Sequence, residues 1–393
     1  MSAAVIRPSS TGPASYLVSN EPTRWNPDGL DHLLKHAVEL GVSDVYIKAR
    51  QPVMGRLHGS LVRLSRRSLD LGEAQEFVNF VYRSQTGSSE LARLDNEGLD
   101  GAHRIEIGRQ QYLRFRWTAC QTLADGTPAP RMTLRQLPAQ IPTLDAESLG
   151  PELMANLFPH DGLVLICGPT GSGKTTLLAG IVQHMAADGE GHNHILTYEA
   201  PIEFDFARLP APATVIDQHE IPADFPNFAA GIRSAMRSDP DVIIVGEMRD
   251  PETINSAFVA AQTGHAVYST MHTTSIAEIF SRPLLVFPAA ERAGALGSLC
   301  GAIRVAIVQE LVPSVDGRRV AIREALVFTD SMRAELLSLM GASPEATIPG
   351  RVRSWVKERG TTRLSMLNAH LEAGRISPSV HAAYAARYLE DAR

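Results

Sequence analysis

Residues Gly168, Pro169, Thr170, Gly171, Ser172, Gly173, Lys174 and Thr175 spell G-x-x-x-x-G-K-T directly after the apolar run Gly162–Cys167. Glycines at 168, 171 and 173 permit dihedrals and close backbone approaches that a Cβ would block. A buried strand that runs into such a loop and then into a helix from Thr175 and Thr176 onward aims several backbone N–H groups at one point, along with the positive end of a helix dipole. A nucleotide triphosphate fits there. Lys174 then meets the β- and γ-phosphates as a point charge, and the Thr175 hydroxyl is the expected ligand of a bridging Mg²⁺.

Hydrolysis needs a carboxylate near the attacking water, and two apolar strands end in one. Asp241-Val242-Ile243-Ile244-Val245-Gly246-Glu247 delivers Glu247, expected to organise Mg²⁺ with its water or to polarise the water directly. Ile195-Leu196-Thr197-Tyr198-Glu199 delivers Glu199, a second candidate for activating water, with an exposed loop acid as the alternative. In TGHAVYSTMHTTS a strand lies between His265 and His272, and His272, at its carboxyl end, is placed to sense a γ-phosphate. Phosphoryl transfer also calls for positive charge. Arg114, Arg116 and Arg135 supply it if the first part of the chain folds over the nucleotide, and are otherwise exposed strand charges; Arg233 and Arg237 are spaced to share a helix face.

The elements that position these groups follow from periodicity. Strands at 162–167, 193–198, 241–246 and 265–270 alternate with helices at 174–187, about 226–237 and 251–263, the pattern of a mostly parallel sheet covered on both faces. Ligands bind beyond the carboxyl ends of such strands, where each motif falls. From about 290 onward the pattern is mainly helical. Before the loop, a helix from Pro27 to Leu40 capped by Asn26, a second from Leu71 to Arg83, and strands at 43–48, 52–64, 104–107, 112–120 and 131–137 make an α+β domain. The expected organisation is a mobile tail over 1–24, a first domain over 25–137, a proline-rich hinge over 138–150, and a nucleotide-binding domain over 151–393.

A length of 393 residues accommodates two cores, and 44% hydrophobic with 20% charged residues excludes a largely disordered chain. No apolar run approaches the ~18 residues of a membrane span, and the first residues lack a secretory signal pattern, so a cytoplasmic protein with only peripheral membrane contact is expected. Cys120, Cys167 and Cys300 lie far apart, which argues against disulfides and a four-cysteine zinc site and predicts reduced core thiols. A net charge of −6 and little interleaving of aromatic with basic residues predict no direct nucleic-acid binding.

The loop, ILTYEAPIEF, DPDVIIVGEMRD and TGHAVYSTMHTTS, in this order, resemble the secretion ATPase superfamily of type II and type IV secretion and type IV pili. The resemblance implies a PAS-like first domain, a RecA-like P-loop ATPase domain, ATP with Mg²⁺, and a homohexamer. It assigns Walker A roles to Lys174 and Thr175, an Asp-box role to Glu199, an atypical Walker B role to Glu247 and a His-box role to His272, and implies that Arg114, Arg116 and Arg135 approach the nucleotide. Without a tetracysteine module the chain is similar to the PilT-like branch, while the stretch Pro349–Lys357 departs from the terminal helix of retraction motors. The segments EPTRW, SDVYIKA, TACQ and VPSVDGRRVAIREALVF resemble the DotB and TraJ branch of secretion and conjugation. Ala200 stands where the family has an aspartate, leaving Glu199 and Glu203 to bear that role. The implied activity is a motor at the cytoplasmic face of an inner-membrane type IV secretion or conjugation machine. A pilus retraction motor, a nucleotide-gated docking module and a helicase are the alternatives.

Overall fold

In the computed structural model, residues 16–93, 98–109, 111–188, 193–341 and 344–390 are described. The chain divides into a first unit up to Gln140 and a second from Ile141.

In the first unit, α1 (Pro27–Glu39) starts where the Asn26 side chain accepts from the Gly29 N–H at 2.9 Å, and its apolar stripe of Leu30, Leu33, Leu34 and Ala37 is buried. There follow β1 (Asp44–Lys48), β2 (Pro52–Leu57), β3 (Ser60–Ser68), α2 (Leu71–Val81), α3 (Gly87–Leu91), β4 (Leu99–Gly108), β5 (Gln111–Ala124) and β6 (Thr127–Gln136). The strands form an antiparallel sheet in the order β3-β2-β1-β6-β5-β4. Its core joins Trp25, Leu34, Phe77, Phe115, Trp117 and Leu134. Because side chains alternate along a strand, Arg114 and Arg116 lie on the face opposite Phe115 and Trp117.

The expected mobile tail is corrected for its second half. Residues 1–15 of that expectation lie outside the described residues. Val18, however, is fully buried and its N–H donates to the Leu64 carbonyl at 2.9 Å. The Glu21 carboxylate accepts from the Arg66 N–H at 2.6 Å and the Arg67 N–H at 3.0 Å, which occupies free donors on β3, an edge strand. The buried Val18, the Glu21 carboxylate and the rings of His32 and His36, each 3.1 Å from a carbonyl of Ser19 or Tyr16, hold this segment, and none of them produces a periodic signal.

Glu73, buried, gathers several polar bonds. Its carboxylate accepts from the backbone N–H of Trp25 at 2.7 Å and of Asp70 at 2.8 Å, while Arg67 donates to both oxygens. Burial alone would raise its pKa; the Arg67 pair and the backbone donors outweigh this and hold it below the ordinary value of 4.5. A depressed carboxyl pKa stabilises the fold above the unfolded value, and that stability is lost as pH falls through the folded value. Glu73→Ala is therefore expected to destabilise the protein by about 2–4 kcal/mol at neutral pH, with a smaller difference from the parent below about pH 4, measured by urea denaturation at both pH values.

The second unit contains α4 (Ala146–Leu149), α5 (Pro151–Asn156), β7 (Gly162–Cys167), α6 (Lys174–Ala187), β8 (Asn193–Glu199), β9 (Thr214–Glu220), α7 (Phe228–Ala235), β10 (Val242–Val245), α8 (Pro251–Gln262) and β11 (Ala266–Met271). It continues through α9 (Ile276–Ile279), α10 (Arg292–Ala302), β12 (Ile303–Pro313), β13 (Arg319–Val327), α11 (Asp330–Ser338), α12 (Pro344–Arg359), α13 (Arg363–Glu372) and α14 (Pro378–Glu390). The sheet order is β13-β12-β7-β11-β10-β8-β9, parallel except for β12 with β13. β7, β10 and β11 are buried at every position, as strands covered on both faces must be. One core places Leu165, Val245 and Val267 against α7, α8 and α10; the other places Val164, Ile166 and Ile244 against α6.

Several expectations change here. The region after 290 is not mainly helical at first, because α10 leads into β12 and β13, which extend the central sheet beside β7; the helical portion starts at Asp330. Both strands carry polar residues among apolar ones, which obscured them. β9 was hidden for the same reason, as a half-exposed strand at the sheet edge with Asp217, Gln218 and His219. The hinge expected over 138–150 shortens, since Leu144 and Leu149 are buried in the second unit's core. α7 ends at Ala235, so Arg237 does not share its face with Arg233, which instead pairs with Glu252 at 2.7 Å.

Candidate active site

β7 runs into the phosphate-binding loop and the loop into α6, whose first residue is Lys174. The turn depends on Gly168 at φ 141°, Gly171 at 78° and Gly173 at 84°. A Cβ on Gly168 would lie 2.2 Å from the Gln309 carbonyl oxygen, so only glycine lets the loop pass β12 this closely. Pro169, Thr170 and Gly171 are exposed at the tip, Thr176 is exposed and Thr175 half-buried. The Ser172 hydroxyl is buried without a hydrogen-bond partner among the described residues. The Lys174 ammonium donates to the carbonyls of Gly168 at 2.8 Å and Pro169 at 3.1 Å, so it arches back over the loop. Burial pushes its pKa below the ordinary lysine value, opposed by Cys167, Glu247 and Glu203. Those last two carboxylates face the same charge that phosphates would meet.

Glu247 and His272 meet because β10 and β11 are tied together at their carboxyl ends. The Ser269 hydroxyl donates to the Val245 carbonyl at 2.8 Å, the Thr270 hydroxyl to the Gly246 carbonyl at 2.6 Å, and the Met248 N–H to the Thr270 carbonyl at 3.1 Å. His272 Nε2 then lies 3.3 Å from Glu247 Oε1, with both side chains partly open to solvent. A Cβ on Gly246 would come within 3.1 Å of the Tyr198 carbonyl oxygen. Close packing against β8 thus favours glycine and leaves Glu247 as the strand-end acid.

Glu199 is held differently. Its Oε1 accepts from the Thr197 hydroxyl at 2.8 Å and from Gln218 Nε2 at 2.9 Å, and the side chain is buried. These bonds fix Glu199 at the β8 terminus, whereas Glu203, in the next loop, is one of the acids that Lys174 feels. Arg114, Arg116 and Arg135 belong to the first unit, while Lys174, Glu199, Glu247 and His272 belong to the second. Arg116 pairs across the sheet with Arg135, and Arg135 Nε donates to Asp44 Oδ1 at 2.7 Å.

The thiols divide two to one. Cys167 and Cys300 are buried, and burial pushes each pKa up to about 12, so both stay protonated. Cys120 corrects the expectation of a core thiol: it is half-buried and its Sγ accepts from Arg131 Nε at 3.0 Å.

Sequence reasoning missed the support beneath the loop. Gln309 Nε2 donates to the Ser172 carbonyl at 2.7 Å, and Arg323 Nε donates to Gln309 Oε1 at 2.8 Å. The available signal was a glutamine inside the apolar run Ile303–Leu311. Beside the loop opens a cavity of about 670 Å³ lined by Pro142, Leu144, Gly173, Thr176, Leu311 and Arg319, among others.

The family model described as Type II/IV secretion system protein matches residues 27–351, most of the chain. The chain belongs to this secretion ATPase family. Among curated relatives, the Type IV pilus retractation ATPase PilT of Pseudomonas aeruginosa is 33% identical over 306 residues, 77% of this chain and 84% of that protein. The twitching motility protein of Neisseria gonorrhoeae is 34% identical over 71% of each chain. Among solved structures, the Legionella pneumophila ATPase DotB is similar at a TM-score of 0.85 and 36% identity, covering 94% of this chain and 98% of that one. The pilus retraction motor PilT with bound ADP is similar at a TM-score of 0.72 and 28% identity, covering 90% and 95%. This secretion ATPase is an ATP-hydrolysing enzyme with a RecA-like domain after an N-terminal α+β domain. Among the described residues no helix is long and apolar enough to cross a membrane.

Proposed function

We propose that this ATPase works as a Mg²⁺-dependent homohexamer at the cytoplasmic face of an inner-membrane type IV secretion or conjugation machine. The likeness to the Legionella ATPase DotB over 94% of the chain is the observation that favours this machine. Loop N–H groups and Lys174 bind the β- and γ-phosphates, and the cavity beside Thr176 takes the base and ribose. The residues present suit magnesium: Thr175 and Glu247 offer hard oxygen donors, and among the described residues no group of three or more His, Cys, Asp or Glu competes as a different metal site. Held there by Thr175 and Glu247, magnesium would supply charge neutralisation for the phosphates. Glu247 aligns and polarises the attacking water, His272 at 3.3 Å reports the presence of the γ-phosphate, and Glu199 with Glu203 completes the acidic side of the site. Arg114, Arg116 and Arg135 approach the nucleotide from a first domain, and loss of phosphate changes the angle between domains.

Pilus retraction is the second reading, favoured by 33% identity to PilT over 84% of its length. Gene deletion separates the two. On the secretion reading, deletion abolishes transfer of the machine's substrate and leaves twitching motility intact; lost twitching with normal transfer selects retraction.

A further inference from the structure

The antiparallel ribbon of β12 and β13 touches both the phosphate-binding loop and the segment after His272, from opposite faces. β12 runs parallel to β7 with Val308 beside Cys167, so Gln309 arrives next to Gly168 where the phosphate-binding loop departs. Gln309 is opposite Arg323 in the ribbon, and the two side chains share one face. The glutamine amide spans the gap to the loop, donating to the Ser172 carbonyl at 2.7 Å and accepting from Arg323 Nε at 2.8 Å. Arg323 Nη1 continues to the Ser148 hydroxyl at 3.0 Å. Arg323 is 7% exposed and makes no ion pair within 4 Å among the described residues, so the Asp145 carboxylate supports its charge only at longer range. Burial lowers its pKa to about 10, which leaves it charged at neutral pH. A buried cation with no carboxylate in direct contact is costly to fold around, and here it lies behind a loop built to receive anions.

The next residue faces the other way. Glu324 Oε1 accepts from the Ile276 N–H at 2.8 Å, and Glu324 Oε2 lies 3.3 Å from Arg363 Nη2. The same Arg363 nitrogen donates to the Thr274 carbonyl, so carboxylate and guanidinium together grip the segment two to four residues beyond His272. Arg363 is the first residue of α13 and stacks 5.2 Å from the Tyr388 ring of α14. The sensor loop is thereby tied to the C-terminal helices.

We propose that the β12–β13 ribbon is a two-sided brace, in which Gln309 and Arg323 are positioning residues for the phosphate-binding loop and Glu324 with Arg363 for the loop that carries His272. The sensor half rests on the role assigned to His272 above. Each side of the brace predicts a different kinetic signature. Gln309→Leu keeps the volume but removes the bond to Ser172, so KM and Kd for ATP rise about 10-fold with kcat little changed. Glu324→Gln keeps an acceptor for Ile276 but removes the charge that Arg363 needs, so kcat falls about 10-fold while ATP affinity is kept.

The experiment measures kcat, KM, nucleotide Kd and Tm on the full chain for both variants, with Arg323→Lys and Arg363→Lys as milder substitutes if either parent variant fails to fold. His272→Ala is assayed beside them. A KM effect on the Gln309 side and a kcat effect on the Glu324 side is the expected split. Lower Tm with unchanged kinetics, or the same parameter moving on both sides, overturns the brace. If His272→Ala itself leaves kcat unchanged, the sensor assignment fails instead; a slow His272→Ala beside a normal Glu324→Gln rejects the brace alone.

Discussion

Lys174→Ala is expected to abolish ATP turnover, lowering kcat by 10²–10³-fold or more, on the order of what one preorganised charge donor contributes. The ammonium is the only basic side chain that the phosphate loop itself supplies, and it already arches over the carbonyls of Gly168 and Pro169. Phosphates would replace those weak partners with oxygens carrying charge, and the bonds strengthen as charge develops in the transition state. Removing the side chain frees the carbonyls of Gly168 and Pro169 but leaves the backbone bonds of β7 and α6 in place, so the fold is expected to persist. The check pairs phosphate release with a thermal melt: turnover is lost while Tm in the absence of nucleotide stays within a few degrees. Retained turnover would show that the loop is not where hydrolysis occurs.

Glu247→Gln separates binding from chemistry. The amide keeps the size and an acceptor oxygen beside His272 Nε2, 3.3 Å away in the parent, but it cannot polarise water as a carboxylate does. Turnover is expected to fall by about 10²–10⁴-fold, the range for loss of a general base. ATP affinity is expected to hold or improve, since the loop N–H groups and Lys174 are untouched and one negative charge near the phosphates is gone. Glu199, buried and hydrogen-bonded to Thr197 and Gln218, does not have the freedom to take over.

How much of this was legible in the residues differs by element. The strand, loop and helix around Lys174 were readable because an all-apolar strand, a glycine pattern and a helix start are local signals, and α6 begins where the pattern said. Glu247 and His272 were readable as strand ends, because a buried parallel strand must emerge at its carboxyl end. Their mutual contact was not readable, since it depends on the register between β10 and β11 and on hydroxyl bonds from Ser269 and Thr270. β12 and β13 were missed because Gln309, Glu310, Arg323 and Glu324 interrupt the apolar pattern that marks a central strand. Gln309 and Arg323 support the phosphate loop, Glu324 holds the sensor loop and Glu310 accepts from Tyr388 of α14, so what hid the strands is also what ties them to their surroundings. The anchoring of Val18 and Glu21 was invisible for another reason: an irregular segment held by scattered single contacts has no period to detect.

The most direct test of hydrolysis at this site is to measure ATP affinity and phosphate release on one preparation of the Glu247→Gln protein. ATP held at parental affinity with phosphate release reduced to background is the predicted result. Phosphate release at the parental rate would contradict the assignment of Glu247, and with it the hydrolytic centre built from Lys174, Glu247 and His272.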